Sequence, residues 1–140
     1  MTDQFLLGSS ASADPASWSI VATLLSNGSG DITEGRALEW EFQPYAEYET
    51  LGNGQTMGQG YPVITWTFKA LRPDQRENLR DFCTGMSTTV YIRTPTNETT
   101  AGAKIWDDFL CILHWTTRAE LVGVNYIEQV VLTFTHCVAI

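Results

Sequence analysis

Along RALEWEFQPY the side chains alternate without a break, with Leu38, Trp40 and Phe42 on one side and Glu39, Glu41 and Gln43 on the other. Period two is the spacing of a strand with one wet face. The stretch PVITWTFKALRPDQRENLRDFCTG begins in the same way, with Ile64, Trp66, Phe68 and Ala70 set against Thr65, Thr67 and Lys69. Its period then changes. Pro73 suits the first turn of a helix, Asp74 the positive end of the dipole, and Leu79, Phe82 and Cys83 a single buried stripe. With Arg80 in the last turns and Gly85 at the C-cap, the pattern predicts a helix over 73–84. Only about three of its residues face inward, so it is expected to lie across a sheet and not in a bundle.

STTVYIRT is rich in β-branched and aromatic residues and reads as a strand, whereas PTNETTAGA reads as a polar loop. In DFLCILHW, Phe109, Cys111, Leu113 and Trp115 share a face. In YIEQVVLTFTHCV, apolar residues occupy both parities, Val130, Leu132 and Phe134 on one and Ile127 and Val131 on the other. A strand apolar on both faces is central, or is covered outside by a helix or a neighbouring subunit. The candidate core is Trp40, Trp66, Phe68, Leu79, Phe82, Val90, Ile92, Leu113, Trp115, Leu132 and Phe134. The four glycines of LGNGQTMGQGYP mark a link between strands. A phosphate-cradling loop would need a helix after it, and a strand comes next here, so a hairpin loop is expected.

Toward the N-terminus, GSSASADPAS reads as an arm or loop over 8–17. In WSIVATLL, residues Trp18, Val21, Ala22 and Leu25 fall on one helical face, which predicts a short helix near 15–26 capped by Asp14 and ended at Asn27-Gly28. A strand with Ile20, Ala22 and Leu24 on one side, opening a hairpin through SNGSGD, stays open. The organisation expected is therefore an arm and short element over 1–37 and a β domain over 38–140, one globular unit in all.

Composition sharpens this picture. A length of 140 residues fits a single domain, and 44% hydrophobic content supplies one packed core. Sixteen acidic residues against eight Lys and Arg give a net charge of −8, which argues against a basic clamp on nucleic acid. Cys83, Cys111 and Cys137 lie 28 and 26 residues apart, an odd count unlike a secreted disulfide framework, and are expected as buried free thiols. Met1-Thr2-Asp3 offers no positive region before the brief Phe5-Leu6-Leu7, so no signal peptide is read, and no run reaches the ~18 apolar residues of a membrane span. The sequons Asn27-Gly28-Ser29 and Asn97-Glu98-Thr99 are accordingly taken as chance matches.

Candidate chemistry is sparse. His114 and His136 stand opposite Cys111 and Cys137 on their strands, so they are not expected to gather around a metal, which requires ligands converging within ~2.3 Å. Asp107 and Asp108 are adjacent and point to opposite faces, whereas a glycosidase pair needs carboxyls ~5 to 9.5 Å apart across a cleft. No nucleophile elbow, zinc-protease or phosphate-loop motif occurs. No catalytic residue, cofactor or metal is expected. Glu39, Glu41, Glu47 and Glu49 form an acidic ladder, read as a solvated sheet face or, alternatively, as a lumen or partner surface.

The order of parts resembles a known group. An acidic strand, a Gly-rich turn and a Trp-bearing strand (YETLGNGQTMGQGYPVITWTF) precede a helix and glycine turn (LRPDQRENLRDFCTG), then VYIRTP, LCILHW and a closing VVLTFTHCV. This is similar to structural proteins of long-tailed bacteriophages, the lambda-type minor tail proteins and distal tail rings that share the tail-tube fold. The likeness covers roughly 100 of the 140 residues and omits the first 37.

The resemblance implies a mainly-β (α+β) fold, an antiparallel β-sandwich or split barrel with one flanking helix. It implies a structural virion protein assembled in the host cytoplasm into a ring, usually a hexamer, beside neighbouring tail proteins. DNA would pass through the lumen without sequence-specific contact, and no membrane is involved. Glu39, Glu41, Glu47, Glu49, Thr96, Asn97 and Glu98 become candidates for subunit contact or lumen lining. The alternatives are a monomeric β-sandwich that binds a ligand or carbohydrate through Tyr45, Tyr48 or Tyr91, and a hydrolase using Asp107 or Asp108.

Overall fold

The computed structural model describes residues 4–21, 38–71, 73–115, 121–122 and 126–140. Its strands are β1 (Leu6–Ser9), β2 (Ser19–Ile20), β3 (Leu38–Gln43), β4 (Glu47–Thr50), β5 (Thr56–Gln59), β6 (Val63–Leu71), β7 (Ser87–Glu98), β8 (Lys104–Trp115), β9 (Leu121–Val122) and β10 (Tyr126–Ala139). One helix, α1 (Pro73–Arg80), and a 3-10 turn (Pro15–Ser17) complete the described elements. The main sheet runs β2-β1-β7-β8-β10-β6-β3 with β9 added on β10, while β4 and β5 form a sheet of their own. Every pairing among the described strands is antiparallel. The chain is thus mainly β, as the alternation predicts.

The sheet curls over one interior because each long strand hides one apolar face. Ile64, Trp66 and Phe68 of β6, Phe109, Cys111, Leu113 and Trp115 of β8, and Val130, Leu132 and Phe134 of β10 are all buried. Two strands, β8 and β10, separate β6 from β7 in the sheet order. The Trp66 indole Nε1 nevertheless donates to Thr94 Oγ1 of β7 at 3.0 Å. Phe5 meets Trp66 edge-on at 5.3 Å and Trp106 of β8 at 5.1 Å, and Phe42 of β3 lies 6.0 Å from Phe109. These contacts cross the interior, so the sheet is rolled into a split barrel. β10 lies between β8 and β6, the central place that its two apolar faces call for.

The expected core is found where expected. Trp66, Phe68, Leu79, Val90, Ile92, Leu113, Trp115, Leu132 and Phe134 are buried, and Trp40 and Phe82 pack against them partly buried. Helix α1 presents Leu79, with Cys83 just beyond it, to that core. It ends at Arg80, before the predicted 84. Phe82 N–H bonds Leu79 O at 3.2 Å and Cys83 N–H bonds Arg80 O at 2.9 Å, so the last turn tightens into three-residue bonds. The predicted left-handed cap at Gly85 is absent: positive φ among the described glycines occurs at Gly54, Gly60 and Gly102.

The N-terminal segment departs most from the sequence reading. Asp14 does cap, accepting from Ala16 N–H at 3.0 Å, yet over 15–20 a 3-10 turn and then strand β2 take the place of the first part of the helix expected over 15–26, and helical backbone begins only at Val21. Residues 22–26 lie outside the described residues. Gly8 and Ser9, assigned to a loop by composition, belong to β1, which pairs with β7 from Val90 to Arg93. The reason is tertiary. Trp18 stacks on Tyr91 at 5.3 Å, its Nε1 donates to Ser12 O at 3.0 Å, and its ring covers Gly8 so closely that a Cβ there would sit 2.3 Å from it. A continuing helix would forfeit these contacts. Similarly, β7 runs on to Glu98 through the expected loop, with a register shift between Pro95 and Asn97.

Cys83, Cys111 and Cys137 are free and buried. Burial pushes the Cys83 thiol up, partly offset by the Arg80 charge. Burial also raises Cys111, and the neighbouring Cys137 thiol adds to it. A raised thiol holds less thiolate at neutral pH and reacts slowly. Native protein should therefore be nearly inert to an aromatic disulfide reagent, with all three thiols reacting only on unfolding. A native thiol titrating at once would show that its strand face is open.

Candidate functional site

The acidic residues fall on two separate bodies. Glu39 and Glu41 project from the outer face of β3, the edge strand of the barrel. Glu47 and Glu49 belong to β4, in the two-stranded sheet, where all four residues are exposed. They therefore do not form one continuous ladder. Thr96, Asn97 and Glu98 sit at the far end of β7, beside a turn closed by Thr99 N–H to Ala103 O at 2.8 Å. There Thr96 Oγ1 donates to Asp107 Oδ2 at 2.7 Å, and Asn97 Oδ1 accepts from the Glu98 N–H at 2.8 Å.

The β4–β5 hairpin carries a cluster of exposed apolar side chains. Its turn over 51–55 is held by Leu51 N–H to Gln55 O at 2.7 Å, with Gly54 at φ 87°. Across its register, Tyr48 stands opposite Gly58 and Glu49 opposite Met57. One face thus carries Tyr48 with Thr50 and Thr56, the other Glu47, Glu49, Met57 and Gln59. Gln59 Nε2 donates to Glu49 Oε2 along the acidic face. Tyr45 lies flat on Gly58, where a Cβ would meet its ring at 2.1 Å, and stands edge-on to Tyr48 at 6.2 Å. Gln43 Nε2 fixes the corner into the hairpin by donating to Tyr45 O at 2.7 Å. Tyr45, Tyr48, Leu51, Met57 and Tyr61 all remain exposed. Tyr91, by contrast, has one ring face covered by Trp18.

At the foot of this hairpin a groove of about 480 Å³ is lined by Ala46, Gly60, Tyr61, Val63, His114, Thr135 and His136. Strand alternation sets the two histidines apart, yet they share one partner. His114 Nε2 lies 2.7 Å and His136 Nδ1 3.2 Å from Thr135 Oγ1. The register shift between Thr135 and Val138 produces this, placing His136 at φ 52°, a strained region for a side-chain-bearing residue. A bulge of this kind leaves no trace in an alternation count. Among the described residues no three His, Cys, Asp or Glu side chains gather as a metal site.

Asp107 and Asp108 do point apart. Asp108 clamps Arg93 with two bonds, Nε to Oδ1 at 2.6 Å and Nη2 to Oδ2 at 2.9 Å. Arg93 is buried, and this pair escapes the sequence reading because it arises only from the register that sets the two residues opposite each other. Both carboxylates are thereby engaged by neighbours on β7.

Compared with known proteins, the chain matches no family model, no curated protein and no solved structure. No helix among the described residues is long and apolar enough to cross a membrane.

Proposed function

We propose that this chain is a structural subunit that assembles into a ring, a tail-tip, distal-ring or tube component of a bacteriophage tail lining a channel for DNA. The observation that carries the reading is the β4–β5 hairpin, which stands apart from the barrel with Tyr45, Tyr48, Leu51 and Met57 exposed. A two-stranded ribbon alone is marginally stable, and clustered exposed aromatics are what a contact surface uses. The outer edge of β3, unpaired among the described strands, adds backbone groups that a neighbour's strand could meet. Glu39 and Glu41 beside that edge suit a channel wall, because carboxylates repel a passing polyanion instead of holding it by counterion release.

On this reading the partners are further copies of the chain, in a ring of the hexameric kind, and adjoining tail proteins in the virion. Native mass spectrometry and electron microscopy of the purified chain are expected to give closed rings or stacked tubes. A single monomeric species at every concentration, absent from tail particles, would sink the proposal.

A second reading is favoured by the groove at the hairpin foot, whose 480 Å³ is within the range of small-ligand sites. In it the chain is a monomeric sugar- or ligand-binding module, with Tyr48 and Tyr61 as stacking surfaces. Loss of glycan binding in Tyr48→Ala with unchanged mass would favour it over the ring.

A further inference from the structure

Where α1 meets the end of β8, buried donors stand without acceptors among the described residues. Arg76 and Arg80 both lie over the indole of Trp115, their guanidinium carbons 5.3 and 4.9 Å from its centre. Stacking of this kind orients a guanidinium without using its N–H groups. Three buried nitrogens at this one place have no hydrogen-bond partner among the described residues: Arg76 Nε, Arg80 Nη1 and Trp115 Nε1. All three are donors. Trp115 is only 6% exposed, so its N–H has little recourse to water.

The remaining partners are weak. Arg76 approaches the exposed Glu77 at 3.8 Å, and Arg80 Nη2 reaches Thr84 O at 3.4 Å. Buried polar groups are almost always paired, and one left unpaired is costly. Here two guanidiniums share one aromatic ring, and the described residues give one nitrogen of each, and the indole nitrogen, no acceptor, a set of donors that a carboxylate complements.

We propose that the Arg76–Trp115–Arg80 cluster is a carboxylate-binding site, and that its occupant is the acidic face of the β4–β5 hairpin of a second copy of this chain, through Glu47 and Glu49. This rests on the ring reading and names its contact. Three features select the occupant. Glu47 and Glu49 are exposed and lie two residues apart on one face of a strand, so a pair of carboxylates meets a pair of guanidiniums. The hairpin projects from the barrel and brings Met57 on the same face, adding apolar burial to the charge pairing. The chain carries eight acidic residues in excess, so copies repel one another unless a basic site receives an acidic one. Arg76 keeps 19% of its side chain exposed, the side from which an incoming carboxylate reaches the cluster.

The experiment measures assembly of the full chain against concentration, by sedimentation and native mass. Glu47→Lys/Glu49→Lys alters only exposed side chains and is expected to keep the wild-type circular dichroism. It should raise the concentration of half-assembly at least about thirtyfold. Arg76→Glu/Arg80→Glu should do the same, and mixing the two charge-reversed variants should restore mixed oligomers that neither forms alone. If the arginine variant fails to fold, the glutamate variant decides by itself. Wild-type assembly by Glu47→Lys/Glu49→Lys overturns this contact and leaves the ring intact. A monomeric wild type overturns both. If Arg76→Gln/Arg80→Gln assembles normally but loses affinity for a short duplex DNA, the site holds a phosphate and the assigned occupant is wrong.

Discussion

Replacing Trp66 with alanine is expected to cost about 3 to 5 kcal/mol of unfolding free energy, the range for a large buried aromatic. The ring is fully buried and does three things at once. It meets Phe134 at 4.8 Å on the neighbouring strand and Phe5 at 5.3 Å from the N-terminal segment. Its Nε1 joins β6 to β7 through Thr94 Oγ1, a hydroxyl that in turn lies 3.4 Å from Pro95 O. Removing the ring therefore opens a cavity and separates the two walls of the rolled sheet. Trp66→Phe keeps most of the volume but leaves the Thr94 hydroxyl without its donor, and should cost about 1 to 3 kcal/mol. Urea titration should show a lower midpoint with the slope preserved. A Trp66→Ala protein that melts with the wild type would mean that this strand turns its other face inward.

The strands that could be read from sequence are those with one apolar face and one wet one. Alternation locates β3, β6 and β8 because Trp40, Trp66 and Leu113 each lie in a run whose neighbours at odd offsets are polar or half-buried. β1 could not be found this way. Leu6, Leu7 and Gly8 are buried in succession, because β1 is covered from both sides, and four residues are too few for a period to emerge. β7 beyond Thr94 was hidden by Pro95, normally a strand breaker. Pro95 comes just past Arg93, the last residue that β1 pairs. There the outer edge of β7 has no partner among the described strands, and a missing N–H does no harm.

The glycines of 52–60 misled for a related reason. Read together they signal turns, and Gly54 and Gly60 do adopt positive φ. Gly58 instead sits inside β5, and its lack of a side chain makes room for the Tyr45 ring. A glycine that yields space to a ring looks the same in sequence as one that bends the backbone. The candidate surfaces share this difficulty. The exposure of Glu39, Glu41, Glu47 and Glu49 could be inferred from their spacing, but their division between two sheets could not. The stacking of Arg76 and Arg80 on Trp115 joins residues more than thirty positions apart, which no periodicity reports.

The Arg93–Asp108 pair yields the second large effect, and it bears on whether Asp108 serves chemistry or architecture. Asp108→Ala is expected to destabilise the fold by about 3 to 5 kcal/mol, because it breaks a buried ion pair by removing the carboxylate that holds the guanidinium with two bonds. Arg93 keeps only 4% of its side chain exposed and Asp108 19%, so solvent can do little to replace the lost carboxylate. Replacing both residues with leucine should recover most of the loss, since a buried pair exchanged for packed apolar side chains is often neutral. The cycle of two single variants and the double then isolates their coupling, which should change little with salt because the pair is shielded from the ionic atmosphere. Asp107→Asn, on an exposed neighbour, should stay within about 0.5 kcal/mol of wild type. A catalytic carboxylate would behave in the opposite way, since its loss removes an activity and leaves stability intact. Wild-type melting by Asp108→Ala, together with a lost hydrolytic activity, would therefore overturn the structural role and revive the hydrolase.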